Sequence, residues 1–344
     1  MYHSSYFWQD DDGNFTMIMP ENRPLKILQL TDCHFGFGPF SKKCDALAKE
    51  AIRVLVERSE PDLIMLTGDN IFPFIPRSGT SDNEKQALKL IEFMDSLRTP
   101  YGLVFGNHDV EMGSKVDKDR LSEIFMDGKY SIFNPGPDDI FGTGNYIIKV
   151  CDTKRIPRWA IVGIDSNMYG DGWFMTGFDC IHEDQSDWIV DSLTKISEQN
   201  PDLKAFCFFH IPLAEYKKAY AKMRVGDKDV TYHFGAIGEK DHYFGISKYK
   251  CEFFNKMQKT GIVKGMFCGH DHYNNLSVTY KGVRLTYGMS IDYLGYPGIK
   301  KRHTQRGGTV AEIYSDGSFD IYPLPLSSVV SPRVRGIKKE KAKK

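Results

Sequence analysis

Five short apolar runs in this sequence stop on the same chemistry. "LKILQL" runs into "TDCH", "PDLIML" into "TGDN", "YGLVF" into "GNHD", "KAFCFF" into "HIP" and "GIVKGMF" into "CGHDH". Short apolar runs bounded by polar residues read as buried strands. Amphipathic stretches separate the first three. "CDALAKEAIRVLVERSE" places Leu47, Ala51, Val54 and Leu55 near helical spacing, and "DNEKQALKLIEFMDSL" opens on Asp82 or Asn83 as a helix cap. Such alternation builds parallel βαβ units, and open α/β sheets bind ligands beyond the carboxyl ends of their strands. Five of the ten histidines stand at these ends beside Asp or Asn, so residues scattered from 32 to 272 can converge.

The second half carries further strands in "NYIIKV", "WAIVGIDS" and "KAFCFFH". "DQSDWIVDSLTKISE" reads as a helix with Trp188, Ile189, Leu193 and Ile196 on its apolar side, and "YKCEFFNKMQKTG" as another. "NLSVTYKGVRLTYG" and "GTVAEIYSDGSFDIYPL" read as hairpins, the second turning at Asp316-Gly317. Residues 1–24 read as an arm or an edge hairpin. Residues 214–248, rich in Tyr, Lys and Gly, lack periodicity and read as a long loop able to cap a site. Composition breaks only near residue 325. The expected architecture is therefore α/β: one domain, 25–325, as a four-layer αββα sandwich of two mixed sheets between helices, then a basic tail, 326–344.

Composition narrows the classes. Hydrophobic content of 41% and charged content of 26% over 344 residues suit a soluble globular chain with a sizeable core. A formal net charge of zero creates no field favouring nucleic acid or an anionic membrane. No apolar run is long enough to cross a bilayer, and the start lacks the pattern of a secretory leader. Seven cysteines without paired spacing point to reduced thiols and a cytoplasmic protein. The tail "GIKKEKAKK" reads as solvated, or as a signal for the nucleus.

The strand-end residues have a spacing that matters. Asp32 and His34 are two apart, which on an extended segment aims both to one side and Cys33 away. His270 and His272 repeat the relation, with Asp271 turned out. Gly68, Gly106 and Gly269 each precede a candidate ligand and allow close backbone approach. Asp32, His34, Asp69, Asn107, His210, His270 and His272 together offer carboxylate, imidazole and amide. That set suits manganese, iron or zinc better than the thiolates of structural zinc, with magnesium as an alternative. It exceeds the needs of one ion, whereas two divalent ions sharing one carboxylate account for all of it. A single strand-end histidine is ordinarily a hydrogen-bonded core residue; four such motifs in order, each after a strand, are not ordinary. Cys33 and Cys268 read as small buried thiols. Tyr216, Tyr220, Tyr232, His233 and Tyr243 read as packing or as a substrate cap. Lys300, Lys301, Arg302 and Arg306 read as a solvated basic loop or as phosphate contacts, and none is assigned to the site.

In this order the motifs "DCH", "GDN", "GNHD", "FFHIP" and "GHDH" resemble the calcineurin-like metallophosphoesterase superfamily from about residue 25 to 322. The stretches "RWAIVGIDS", "GHDHYNN", "YGMSIDYLGYPG" and "TQRGGTVAEI" are similar to an intracellular, purple-acid-phosphatase-like branch of that superfamily. True purple acid phosphatases open on D-x-G and carry a ligand tyrosine three residues after the shared Asp. Here the first motif is Asp32-x-His34 and the tyrosine position holds Phe72, so no tyrosinate–iron colour is expected and manganese or iron is left more open.

The resemblance implies a dinuclear-metal-dependent phosphoester hydrolase, phosphatase or phosphodiesterase, with a hydroxide between the ions as nucleophile. It implies that Asp32, His34 and His272 hold one metal, that Asn107, His210 and His270 hold the other, and that Asp69 bridges. His108 would face the substrate phosphate and assist the leaving oxygen, and Asp109 would orient His108. The substrate would be a phosphorylated small molecule or a phosphoprotein. The alternatives are a non-catalytic scaffold of this fold and a nuclease; filled site positions weigh against the first. Zero net charge and the lack of a basic, aromatic groove weigh against nucleic acid as a partner.

Overall fold

Two mixed sheets realise the alternation of strand and helix. The structure, a computed structural model, describes residues 7–9, 14–170, 177–296, 299 and 306–329. The strands in chain order are β1 (Phe7–Gln9), β2 (Phe15–Ile18), β3 (Leu25–Leu30), β4 (Leu63–Thr67), β5 (Tyr101–Val104), β6 (Tyr146–Cys151), β7 (Pro157–Gly163), β8 (Lys204–Phe208), β9 (Val230–Phe234), β10 (Val263–Cys268), β11 (Ser277–Tyr280), β12 (Val283–Tyr287), β13 (Gly307–Ile313) and β14 (Phe319–Pro325). The helices are α1 (Lys42–Ser59), α2 (Ile75–Ser78), α3 (Asn83–Ser96), α4 (Lys118–Met126), α5 (Glu183–Ser197), α6 (Ala214–Arg224), α7 (Phe253–Thr260) and α8 (Leu326–Val329).

One sheet has nine strands in the order β1-β2-β6-β7-β8-β10-β12-β11-β9, and the other has five in the order β14-β13-β3-β4-β5. β3, β4 and β5 run parallel, as do β7, β8, β10 and β12. The side-chain parity of the large sheet shows why it is buried on both faces. Trp159, Ile161, Phe206, Phe208 and Phe267 join one core with Leu28, Leu30 and Leu66 of the small sheet and with Ala51, Leu55, Leu90 and Phe93 of α1 and α3. The alternate residues Ala160, Val162, Ala205, Cys207 and Met266 join a second core with Ile189 and Leu193 of α5, Tyr216 of α6 and Phe253 of α7. A period of two along the strands thus separates two apolar layers. The layer order is helices, five-stranded sheet, nine-stranded sheet, helices, the expected αββα sandwich.

Three stretches differ from the sequence reading or refine it. Residues 214–248 are not a structureless loop. They contain α6, whose Tyr216 hydroxyl donates to the Met266 carbonyl at 2.8 Å, and β9, which pairs antiparallel with β11 at the sheet edge. The apolar face of α6 is short and interrupted by lysines, so its periodicity is faint. α4 was not anticipated; Asp117 caps it by accepting from Arg120 N at 3.0 Å, and Leu121, Ile124 and Phe125 are buried. Of the two readings of residues 1–24, the described part takes the edge hairpin, β1 against β2, and β2 runs parallel to β6. The basic tail lies outside the described residues beyond 329.

Candidate metal centre

The candidate ligands follow the carboxyl ends of β3, β4 and β5 in one sheet and of β8 and β10 in the other. Turns deliver them, not extended segments. Asp32 (φ 52°), His34 (φ 46°), Asp69 (φ 50°) and His270 (φ 74°) all take the left-handed conformation. Non-glycine residues adopt it at a cost of about 1–3 kcal/mol each, and such strain persists only where the surroundings over-determine it. This corrects the two-apart argument: strand alternation does not aim Asp32 and His34. Backbone hydrogen bonds between the neighbouring turns do, from Asp32 N to Gly68 O (3.1 Å), His34 N to Asp69 O (2.9 Å) and Phe35 N to Asn70 O (3.1 Å). Glycine is required beside them. A Cβ on Gly68 (φ 84°) would lie 2.5 Å from the His210 ring, and one on Gly106 would lie 2.2 Å from Asp69 N and Oδ1.

Asp109 holds the same turns and does not orient His108. Its carboxylate is fully buried and accepts from Asn70 N (2.8 Å), Ile71 N (2.9 Å), Gly106 N (2.7 Å) and Asn70 Nδ2 (3.1 Å). With four donors satisfied it has nothing left for the imidazole. Burial, aided by the negative charge of Asp69, pushes its pKa up to about 6. The carboxylate that meets His108 is Glu111, through Oε1 to Nδ1.

All seven candidate ligands come together. Asp69 Oδ2 lies 3.4 Å from His34 Nε2 and 3.2 Å from His210 Nε2. Two triads share it: His34–Asp69–His272 and Asp69–His210–His270, each with its ligand atoms within 4.8 Å of one another. Asp32 Oδ1 is 3.5 Å from His272 Nε2, and Asn107 Oδ1 is 3.2 Å from His210 Nε2. His270 Nδ1 is 3.3 Å from His210 Nε2. His108 stands at the rim, its backbone N–H donating to Asp69 Oδ1 at 2.8 Å and its ring 5.3 Å from that of His34. Phe72 packs edge-on against His34 at 4.9 Å, where it offers no oxygen.

A second layer fixes the rings. His210 Nδ1 donates to the Thr67 carbonyl at 2.8 Å, leaving the Nε2 lone pair for the cluster. Asp292 Oδ2 holds His272 Nδ1 at 3.0 Å, and its Oδ1 lies 3.8 Å from His34 Nδ1. The Asn107 amide donates to the Tyr169 hydroxyl at 3.2 Å, which turns Oδ1 toward His210.

The electrostatics ask for cations. Asp69 Oδ2 is buried without a hydrogen-bond partner. Burial lowers the His34 pKa, but Asp292, then Asp69 and Asp32, outweigh it and carry the ring up to about 10. Burial likewise opposes the protonated form of His210, and Asp69 raises it to about 9. His270 is driven well below its ordinary value by burial and by His210. Without metal, protons gather on the rings nearest the carboxylates; divalent ions satisfy the same charge while using every lone pair. The nitrogen and oxygen donors fit two such ions.

Asp292, Glu111 and Tyr169 were not singled out from the sequence. Asp292 follows the strand "VRLTY" and bore the same strand-end signal as the others; Glu111 stands three residues after His108. Of the side candidates, Cys33 and Cys268 are buried thiols with pKa values raised by that burial. Arg306 is buried, stacked 4.0 Å from the Tyr293 ring, with Nε donating to the Asp292 carbonyl at 2.8 Å. Lys300, Lys301 and Arg302 lie outside the described residues. Tyr216, Tyr220, Tyr232 and His233 belong to α6 and β9, whereas Gly245 backs His270, its missing Cβ leaving 2.5 Å to that ring. Tyr243 is exposed.

The family model for calcineurin-like phosphoesterases matches residues 25–274. Phosphatase DCR2 of Saccharomyces cerevisiae is 30% identical over 285 residues, 77% of this chain, which spans 47% of that protein. The probable inactive purple acid phosphatase 28 of Arabidopsis thaliana is 29% identical over 317 residues, covering 83% of this chain and 72% of the relative. Among solved structures, a dimetal phosphatase from Danio rerio superposes with a TM-score of 0.59 at 12% identity, over 88% of this chain and 97% of that one, which shows a shared fold.

Proposed function

The chain belongs to the calcineurin-like phosphoesterase family, and from that premise we propose that it hydrolyses phosphate monoesters or diesters at a centre of two divalent metal ions. Asp32, His34 and His272 would hold one ion, Asn107, His210 and His270 the other, and Asp69 would serve both. When bound, the pair supplies Lewis-acid polarisation of the phosphoryl group and acidifies a water to serve as nucleophile. Manganese, iron or zinc is the expected pair, with magnesium as an alternative, because the candidate ligands offer nitrogen and oxygen donors and no thiolate.

The chain's own groups do the rest. Asp292, Thr67 and Tyr169 orient His272, His210 and Asn107. His108, with Nδ1 engaged by Glu111, holds a proton at Nε2 and delivers it to the leaving oxygen. Phe72 and Phe178, packed on His34 and His270, exclude water from two sides.

The observation that carries this reading is the buried Asp69 Oδ2, which accepts no hydrogen bond and is shared by two imidazole-bearing triads. The Arabidopsis relative is named inactive; here every ligand position and His108 are filled, which favours a working enzyme over a scaffold. We place it in the cytoplasm because none of its seven cysteines forms a disulfide; among the described residues no helix is long and apolar enough to cross a membrane.

Elemental analysis of the purified protein, paired with p-nitrophenyl and bis-p-nitrophenyl phosphate assays across Mn²⁺, Fe²⁺, Zn²⁺ and Mg²⁺, is the test. About two metals per chain with metal-dependent turnover is expected, and the faster ester defines the class. Neither metal nor turnover would sink the reading.

A further inference from the structure

Cys180 and Cys251 lie in neighbouring segments, the first just after Phe178 and the second after Gly245 and Ser247. The Cys251 thiol donates to the Ile181 carbonyl at 3.4 Å, and Cys180 Sγ lies 4.0 Å from the Lys250 carbonyl. Each thiol therefore reaches the backbone beside the other. Both line a pocket of about 20 Å³. Only Cys180 also opens onto a cavity of about 620 Å³ bounded by Tyr169, His182 and Tyr249. The neighbouring Cys251 thiol holds the Cys180 thiol below its ordinary pKa, whereas Cys180 and burial raise that of Cys251. An accessible thiol biased toward thiolate, with a second thiol against it, is the arrangement of a sensing and a resolving cysteine.

We propose that Cys180 and Cys251 are a redox pair that closes to a disulfide under a peroxide and thereby slows the enzyme. The Cys180 thiolate attacks the O–O bond of the peroxide, and with one proton a sulfenic acid and one water result. Cys251 sulfur then displaces the hydroxyl from Cys180 as the second water. The two thiols lose two electrons and two protons, and hydrogen peroxide is reduced to two waters.

The bond would matter because both segments it joins pack on the site. Phe178 packs edge-on against His270, with ring centroids 4.3 Å apart, and stacks on Tyr169 at 5.7 Å. Ser247 Oγ donates to the Phe178 carbonyl at 3.0 Å, and Gly245 backs the His270 ring. An S–S bond of about 2.05 Å draws two thiols together by more than about 1 Å. That exceeds the roughly 0.5 Å within which a catalytic constellation must be held.

The test treats full-length, metal-loaded protein with hydrogen peroxide. Intact mass and non-reducing peptide maps are read beside the rate; the rate readout rests on the hydrolase reading, and the mass readout does not. The expected result is loss of two hydrogens per chain, a Cys180–Cys251 cross-linked peptide and a roughly tenfold or larger fall in rate. Dithiothreitol should reverse all three. C180S and C251S should keep the untreated rate and lose the cross-link and the peroxide sensitivity. Absence of the cross-link would overturn the proposal, as would equal inactivation of C180S, which would assign the damage to the metal. If the reduced protein turns over no ester, the hydrolase reading has failed instead. The disulfide is then judged by Mn²⁺ titration calorimetry, where the oxidised chain should bind roughly tenfold more weakly; a cross-link that leaves Mn²⁺ binding unchanged would overturn the proposal.

Discussion

Two carboxylates follow His108 closely, and their surroundings give them different work. Asp109 is fully buried and spends its oxygens on backbone N–H groups, whereas Glu111 is partly exposed and meets the imidazole. A general acid held by Glu111 matters most where the leaving oxygen is basic. Glu111→Gln is therefore expected to cost about 100-fold on an alkyl phosphate such as glycerol phosphate, and less than about tenfold on p-nitrophenyl phosphate. His108→Ala should show the same split. Equal losses on both esters would mean that Glu111 only shapes the turn. His108 stands beside the cluster, and the carboxylate against it is Glu111. Adjacency suggested Asp109, and only the path of the turn shows that its side chain points inward.

At the scale of elements, the strand ends were legible and the turns were not. Apolar runs such as "LIML" and "GMF" announce where β4 and β10 stop, because a buried strand must end where its side chains become polar. Nothing in the letters announces that Asp32, His34, Asp69 and His270 take positive φ; that follows from hydrogen bonds between turns distant in sequence. Asp292 carries a strand-end signal, but its role exists only once the turn after β12 lies against His34 and His272. Asp109 stitches the turn after β4 to the turn after β5, so its removal belongs to this scale. Asp109→Asn places an amide donor against backbone donors and should cost about 2–3 kcal/mol of stability, read as a lower denaturant midpoint. Turnover per folded chain should largely persist at low temperature. Lost turnover with an unchanged midpoint would return Asp109 to the role of orienting His108.

On the scale of the whole molecule, the proposed ligands divide between the sheets. Asp32, His34, Asp69 and Asn107 leave the five-stranded sheet; His210, His270 and His272 leave the nine-stranded one. Each proposed ion is thus held from both sides of the inner core, and metal binding should couple to stability of the sandwich. A ligand at about 100 times its dissociation constant stabilises by about 2.7 kcal/mol, so two ions contribute on the order of 5 kcal/mol. At roughly 2–4 °C per kcal/mol for domains somewhat smaller than this one, Mn²⁺ should raise the melting temperature by on the order of 10 °C, and EDTA should reverse it. His272→Ala, which removes a large-sheet ligand from one site only, should forfeit about half of the rise. Hydrogen exchange should locate the added protection at the ends of β3, β4, β8 and β10 together. Protection confined to one sheet would mean that the ions do not span the two, and the shared position of Asp69 would then need another explanation.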